Sequence, residues 1–224
     1  CEGDDYWTDA QKLQKQYDAM EKNPEIDICS HLAERIDANS GKTISEIPQC
    51  KENTIFPVEQ VILGGGGFVA TNSLFYRSDL DRNIPRFRKN YDIDFTLQVH
   101  GALRGGMLFL KDCMSVYRVN VENSWTLKNQ KNIEICTKNE NRADLAWQEI
   151  DEDTNYKYAD TILEKRMKNK IANCHNIMTF KELKSPPYRE YYKKLSLVKR
   201  TKIATKYYFP WLAEIKSMLN NLIG

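Results

Sequence analysis

The spacing of apolar residues changes along this chain of 224 residues, and that change limits the folds open to it. Apolar and polar side chains alternate over residues 25–31, and short apolar runs at 107–110 and 114–119 also indicate strands. From about residue 140 onward, apolar residues recur at helical spacing instead. We therefore predict an α/β portion over residues 1–135 and a helical appendage over residues 136–224.

Two helices are predicted inside the α/β portion. Residues 8–23 have an apolar face, and Thr8 and Gln11 have the spacing of a capping box. Residues 94–104 also show a helical pattern, which the glycine pair beginning at Gly105 ends.

Four consecutive glycines at 64–67 predict a turn that either shapes a pocket or is purely structural. No Gly-Lys-Ser or Gly-Lys-Thr follows them, which disfavours a phosphate-binding loop. The next residues, 68–77, are predicted to form a strand. Residues 32–60 are polar and mixed, so we predict mostly loop with short elements there.

Charge is unevenly distributed although the formal net charge is only +2. Residues 181–224 carry ten Lys and Arg against three Asp and Glu, whereas the remainder carries 23 against 28. The acidic remainder argues against a nucleic-acid partner. The basic and aromatic tail at 188–223 has two interpretations, peripheral contact with a membrane surface or packing as a helix with a solvated basic face.

The six cysteines and three histidines are scattered, without the close grouping that a zinc site needs. The chain has no apolar stretch long enough to span a bilayer and no signal-peptide pattern. We therefore expect reduced thiols and a cytoplasmic protein, with any membrane contact at the inner face of the plasma membrane.

An acidic cluster, Glu2-Gly3-Asp4-Asp5, stands at the start of the chain. Adjacent carboxylates repel each other, so such a group is favourable when a hard divalent cation such as Mg²⁺ or Mn²⁺ lies among its members. The alternative is an acidic helix start, where the helix dipole favours negative charge.

The cluster with Tyr6-Trp7 and the following Lys12-Leu13-x-x-Gln16 resembles the metal-binding segment of family 2 glycosyltransferases, which have the GT-A fold. Further similar blocks stand in the family's order: Gly64–Arg77, Asp94 with Gly105, Tyr117-Arg118 and Ser124-Trp125-Thr126. The resemblance covers roughly residues 1–130. It implies a mixed sheet flanked by helices, of which this chain would supply the C-terminal half, because the family's nucleotide-binding half should precede residue 1.

The resemblance also implies a reaction. A sugar would pass with inversion from a nucleoside diphosphate donor to a hydroxyl of a glycan or lipid-linked acceptor, in surface polysaccharide assembly. Asp4 and Asp5 match positions that bind the donor or its Mg²⁺ or Mn²⁺, and Glu2 matches the first carboxylate of the motif. Arg118 is expected near the diphosphate, or else paired as a strand-end arginine with an acidic neighbour.

On the acceptor side, Asp94 matches the family's catalytic base, and Asp92 takes that role if the register differs by two residues. The acceptor-side positions implied by the resemblance are Gly66, Thr71, Asn72, Ser73 and Trp125. At Asn120 some family members have a histidine that binds the metal, so the resemblance does not carry that contact over. Without the nucleotide-binding half, we expect this chain alone to bind a donor weakly.

Two other hypotheses compete with the enzyme. The first is a non-catalytic glycan-binding or scaffold fragment that keeps the motifs only structurally. The second is a lipid-anchored surface protein that begins at Cys1.

Overall fold

The computed structural model describes residues 3–122, 124, 133–172, 177–209 and 211. The chain divides into two compact units, Cys1–Tyr158 and Ala159–Gly224. The first is an α/β unit with a mixed sheet flanked by helices, as the sequence predicts.

A six-stranded mixed sheet forms the centre of the first unit. Its strands are β1 (Tyr6–Trp7), β2 (Ile28–Asp37), β3 (Thr43–Ile47), β4 (Thr54–Phe56), β5 (Phe75–Tyr76) and β6 (Met107–Val119). The two long strands, β2 and β6, are parallel neighbours, and every other pairing is antiparallel. On its far side β6 pairs with β1 and β4, while β2 pairs on its far side with β3 and β5.

Helices and 3-10 turns surround this sheet. In the first unit they are α1 (Lys12–Glu21), α2 (Val58–Gly64), the 3-10 turns Gly65–Gly67 and Thr71–Ser73, α3 (Asp79–Arg82), α4 (Arg86–Asn90), α5 (Asp94–Ala102) and α6 (Ile133–Asp153). In the second unit they are α7 (Ala159–Ala172), α8 (Ile177–Leu183), α9 (Arg189–Lys194) and α10 (Leu197–Tyr208).

The first half of β2 is buried on both faces, from Ile28 to Ala33. Central parallel strands are normally covered by helices on both sides, so near-continuous burial is expected there. Two polar residues, Ser30 and His31, are therefore fully buried in the same strand.

The segment 32–60, predicted to be mostly loop with short elements, has more strand than that prediction allows. It contains the end of β2, then β3, β4 and the start of α2. The hairpin between β2 and β3 turns at Gly41, whose φ is +66° and whose N–H donates to the carbonyl of Asp37 over 2.8 Å. No residue of β3 is fully buried, so that strand lacks the apolar alternation that would reveal it in the sequence.

Two other predicted elements differ from the structure. Helix α1 begins at Lys12 rather than Thr8, because the N–H of Thr8 still donates to the carbonyl of Met114 in β6 over 3.0 Å. The capping box is therefore absent, and Asp9 accepts from the N–H of Gln11 instead, over 2.7 Å. The strand predicted over residues 68–77 shrinks to β5 and is otherwise irregular or 3-10.

Helix α6 packs within the first unit. Its Trp147 stacks on Phe95 of α5 with ring centroids 4.2 Å apart. Arg86 of α4 forms ion pairs with Glu152 and Asp153 at the end of α6. The compact α/β unit therefore reaches Tyr158, beyond the division that we predict at residue 135.

The second unit is helical in its described part and has its own apolar core. The buried members of that core are Met167, Phe180, Leu183, Tyr188, Ile203 and Tyr207. Over the residues described in either unit, no helix has the length and hydropathy needed to cross a membrane.

Candidate functional site

Asp5 of the acidic cluster is held against the end of β6. Its Oδ1 accepts from the main-chain N–H of Arg118 over 2.9 Å, and its Oδ2 accepts from the side-chain amide of Asn72 over 3.1 Å. The side chain is buried, which raises the pKa of Asp5, while the hydrogen bond from Arg118 opposes that shift. Asp4 lies beside it and is half-buried.

Asn72 connects Asp5 to the sheet. Its Nδ2 donates to Asp5 and to the carbonyl of Val116 over 2.9 Å, and its Oδ1 accepts from the hydroxyl of Ser115 over 2.7 Å. Both ends of this buried amide are therefore hydrogen-bonded, which fixes its orientation.

Asp94 lies at the first residue of α5, with an exposed carboxylate. The hydroxyl of Thr71 donates to its Oδ2 over 3.2 Å. Gly66 lies alongside, because a Cβ placed on it would be 4.0 Å from the Cβ of Asp94. The 3-10 turn Thr71–Ser73 thus contacts Asp94 through its first residue and Asp5 through its second.

Asp92, the alternative base, is also exposed. Its main-chain carbonyl accepts from the guanidinium of Arg142 over 3.5 Å. Of the two carboxylates, Asp94 is the one whose hydrogen bond joins it to the turn that carries Asn72.

Arg118 lies next to the acidic cluster. Its Nε donates to the main-chain carbonyl of Asp4, while its main-chain N–H donates to Asp5. The side chain is half-buried, so this contact fixes the guanidinium stem at the edge of the acidic pair. The arrangement agrees with either expectation for Arg118, contact with a diphosphate or pairing with the acidic segment.

The remaining predicted positions differ in their surroundings. Ser73 is fully buried, and its hydroxyl donates to the carbonyl of Ala70 over 2.6 Å, so it closes the turn from inside. Gly66 and Thr71 are half-exposed. Glu2 and Trp125 lie outside the residues that the structure describes.

Three residues connected to the turn Thr71–Ser73 were not predicted as part of the site. Ser115 bonds to Asn72, Gln16 bonds to Ser73, and Lys12 bonds to Gln16. Ser115 reaches Asn72 across 43 positions of the chain and has no local signal. Lys12 and Gln16 stand in the Lys-Leu-x-x-Gln segment, so their positions were marked by the resemblance, although no role was attached to them.

The number of adjacent carboxylates limits the kind of metal site to be considered. Among the described residues, no group of three or more His, Cys, Asp or Glu side chains could hold an ion. Mg²⁺ is often bound by one or two carboxylates and completes its shell with phosphate oxygens and water. Asp4 and Asp5 are two such adjacent carboxylates, and they do not form an all-protein cage.

Comparison with known proteins gives no activity for this site. No family model matches the chain, and no solved structure matches it. Uncharacterized proteins of Mycobacterium bovis and of two Mycobacterium tuberculosis strains are each 33% identical to it over 130 residues. The match covers 56% of this chain but 35% of each relative, so the chain spans about a third of the length of the curated relatives it matches.

Proposed function

We propose that the chain carries the catalytic half of an inverting, metal-assisted glycosyltransferase with a GT-A-like domain. The donor would be a nucleoside diphosphate sugar, and the acceptor a hydroxyl of a glycan or lipid-linked glycan. One observation carries the proposal: the turn Thr71–Ser73 contacts both Asp5 and Asp94, the carboxylates matched to donor binding and to base catalysis.

Each carboxylate suits a different task. Asp5 is buried and hydrogen-bonded on both oxygens, so it is a rigid anchor for the donor side. Asp94 is exposed, and its hydrogen bond from Thr71 orients the carboxylate without blocking it. A general base needs that access, because it must reach the acceptor hydroxyl whose proton it removes.

Asp4 and Asp5 would hold a Mg²⁺ or Mn²⁺ ion together with the diphosphate. Bound there, the cation neutralises the negative charge that develops on the departing diphosphate. Arg118 lies at the edge of the same pair and would add a fixed positive charge.

The experiment uses the full-length protein, Mn²⁺ and a panel of nucleotide sugars, with release of nucleoside diphosphate as the readout. Asp94→Asn should lower kcat by about 10²–10⁴-fold, the usual effect of removing a general base. Asp92→Asn is the matched control and should keep activity near the native level. The reverse result would move the role of base to Asp92.

Asp5→Asn tests the donor side. The amide of asparagine carries no negative charge. Its NH₂ group would also face another hydrogen-bond donor, either the N–H of Arg118 or the amide of Asn72, so one native hydrogen bond is lost. We expect metal-dependent binding of a nucleoside diphosphate to be lost. If the native full-length protein shows no saturable Mn²⁺-dependent binding at all, the proposal fails and the non-catalytic glycan-binding hypothesis replaces it.

We further propose that the second unit makes peripheral contact with an anionic membrane, at the inner face of the plasma membrane. Leu197 and Val198, at the start of α10, are 73% and 65% exposed. Exposed lysines flank them, including Lys194 and Lys199. Apolar side chains among basic ones suit the boundary between lipid headgroups and acyl chains.

A further inference from the structure

Lys12 and Gln16 of α1 are buried, although neither has a part in the proposed chemistry. Lys12 is 1% exposed and Gln16 is fully buried. Lysine is among the residues least often found fully buried, so its position calls for a physical explanation.

Their contacts lead to the turn at the centre of the candidate site. Lys12 Nζ donates to Gln16 Oε1 over 2.7 Å, and Gln16 Nε2 donates to the carbonyl of Ser73 over 2.8 Å. The same Nζ lies 4.4 Å from the ring centroid of Trp7, whose indole N–H donates to the carbonyl of Asn72 over 3.1 Å. Two consecutive carbonyls of the turn are thus held by side chains that meet at one ammonium group.

The side chains of the turn make further contacts: Thr71 bonds to Asp94, and Asn72 bonds to Asp5 and to Val116 and Ser115 of β6. The side chain of Asn72 thus attaches the turn to β6, and the bonds from Gln16 and Trp7 attach it to α1 and β1. We propose that Lys12, Gln16 and Trp7 form a clamp that positions this turn and, through it, sets Asp5 relative to Asp94. The catalytic consequence of the clamp rests on the proposed function.

A contribution to the stability of the folded protein does not explain well why a lysine is buried at position 12. Among the described residues, Lys12 forms no ion pair within 4.0 Å. Burial lowers the pKa of Lys12 to about 8, because the charged ammonium loses its hydration. Burying an ammonium group without a counter-ion costs free energy of desolvation. A role in geometry accounts for the lysine better than a role in stability.

Lys12→Met in the full-length protein removes the ammonium and keeps the length of the side chain. We expect kcat to fall by about 10–100-fold with little change in KM for the donor, because a displaced turn misorients groups that still bind. The thermal midpoint should change little, because removing the desolvation cost of the ammonium opposes the loss of the hydrogen bond to Gln16 Oε1. Lys15→Met is the matched control: Lys15 lies on the same helix, is half-exposed and pairs with Asp9 and Asp112, and its loss should leave kcat unchanged.

A spectroscopic readout follows the clamp without any assay of sugar transfer. The chain has four tryptophans, so the Trp7 indole N–H resonance can be assigned in ¹⁵N-labelled protein by its disappearance in Trp7→Phe. Lys12→Met should shift that proton upfield, as expected when an N–H loses a well-aligned carbonyl acceptor. Gln16→Met should have the same effect on kcat and decides the question if Lys12→Met does not fold.

The results separate the two proposals. If the native protein transfers no sugar, the proposed function fails, and the indole resonance alone judges the clamp. If transfer occurs and Lys12→Met leaves both kcat and the indole resonance unchanged, the clamp is wrong while the proposed function stands. A kcat that recovers on cooling, together with a lowered thermal midpoint, would show a purely structural role and would also overturn the clamp.

Discussion

His31 is a fully buried titratable side chain in the centre of β2. Its Nδ1 donates to the carbonyl of Leu32 over 2.8 Å, while its Nε2 has no hydrogen-bond partner in the described part of the chain. Burial lowers the pKa of His31 to about 4, from an ordinary value near 6.5. The neutral imidazole is therefore the form that fits the folded state.

The buried His31 predicts a loss of stability in mild acid. Between pH 6.5 and 4 the unfolded chain binds a proton at this residue that the folded chain does not. The free energy of unfolding should therefore fall as pH falls through this window, by about 3 kcal/mol from this residue. Urea unfolding at pH 7.5 and pH 4.5 should show a smaller difference for His31→Leu than for the native protein.

An internal control comes from the range above pH 7. His31 does not change its protonation there in either state, so the native protein and His31→Leu should show parallel stability between pH 7 and pH 8. Equal pH dependence of the two proteins below pH 6.5 would contradict the burial of His31 in its neutral form.

At the level of single residues, the sequence identified the parts of the site better than their orientations. Asp5, Thr71, Asn72 and Asp94 were all singled out, and the structure brings them together. The inward direction of Asn72 was not predictable, because a 3-10 turn replaces the strand that the apolar pattern indicates. Its bond to Ser115 depends on a pairing that no local pattern encodes.

Among the elements, β6 shows why local patterns mislead. The sequence predicts two strands separated by a polar segment at residues 111–113, whereas the structure has one strand from Met107 to Val119. Over three consecutive residues of β2 the paired residue of β6 changes from Leu110 to Cys113 and then to Ser115, so β6 has three extra residues here and bulges. A bulge lets a strand expose polar residues without ending, and the amino-acid pattern alone does not distinguish it from a loop.

The packing of α5 on β2 gives a prediction about stability. A Cβ on Gly101 would lie 2.6 Å from the Cβ of Ile28 and 2.8 Å from its Cγ2, so helix and strand must separate to admit it. Overpacking usually costs about 1–3 kcal/mol, while replacing a helical glycine by alanine gains about 1 kcal/mol. Because the clashing atoms lie next to the backbone of a central strand, we expect Gly101→Ala to lower the free energy of unfolding by about 1–2 kcal/mol, measured by urea unfolding.

Gly67→Ala is the matched control for this substitution. A Cβ on Gly67 would have no atom within 4 Å, and its backbone does not have a positive φ. We expect its unfolding free energy to stay within about 0.5 kcal/mol of the native value. Equal stability of the two variants would mean that α5 does not pack closely on β2.

For the whole molecule, the sequence indicates the two classes of structure better than the boundary between them. The sequence predicts both an α/β portion and a helical appendage, and the structure has both classes. The prediction at residue 135 rests on local apolar spacing, which does not include the long-range stack of Trp147 on Phe95. Apolar spacing indicates that α6 is a helix, but it does not tell which unit that helix joins.

The proposed membrane contact is a property of the molecule as a whole, because it depends on the accumulated charge of residues 181–224. Full-length protein should co-sediment with vesicles that contain phosphatidylglycerol and not with vesicles of phosphatidylcholine alone. Added salt should weaken the binding, since it screens the attraction between lysines and anionic headgroups.

The double variant Leu197→Glu and Val198→Glu tests the apolar part of that contact. Burying either side chain in the lipid boundary contributes about 1.5–3 kcal/mol, and 1.4 kcal/mol corresponds to a tenfold change in affinity. The variant should therefore bind anionic vesicles at least about tenfold more weakly. Ile44→Glu is the control, because Ile44 is 52% exposed on β3 and lies outside the basic segment. Unchanged binding of the double variant, or equal binding of the native protein to both kinds of vesicle, would exclude this surface as a membrane contact.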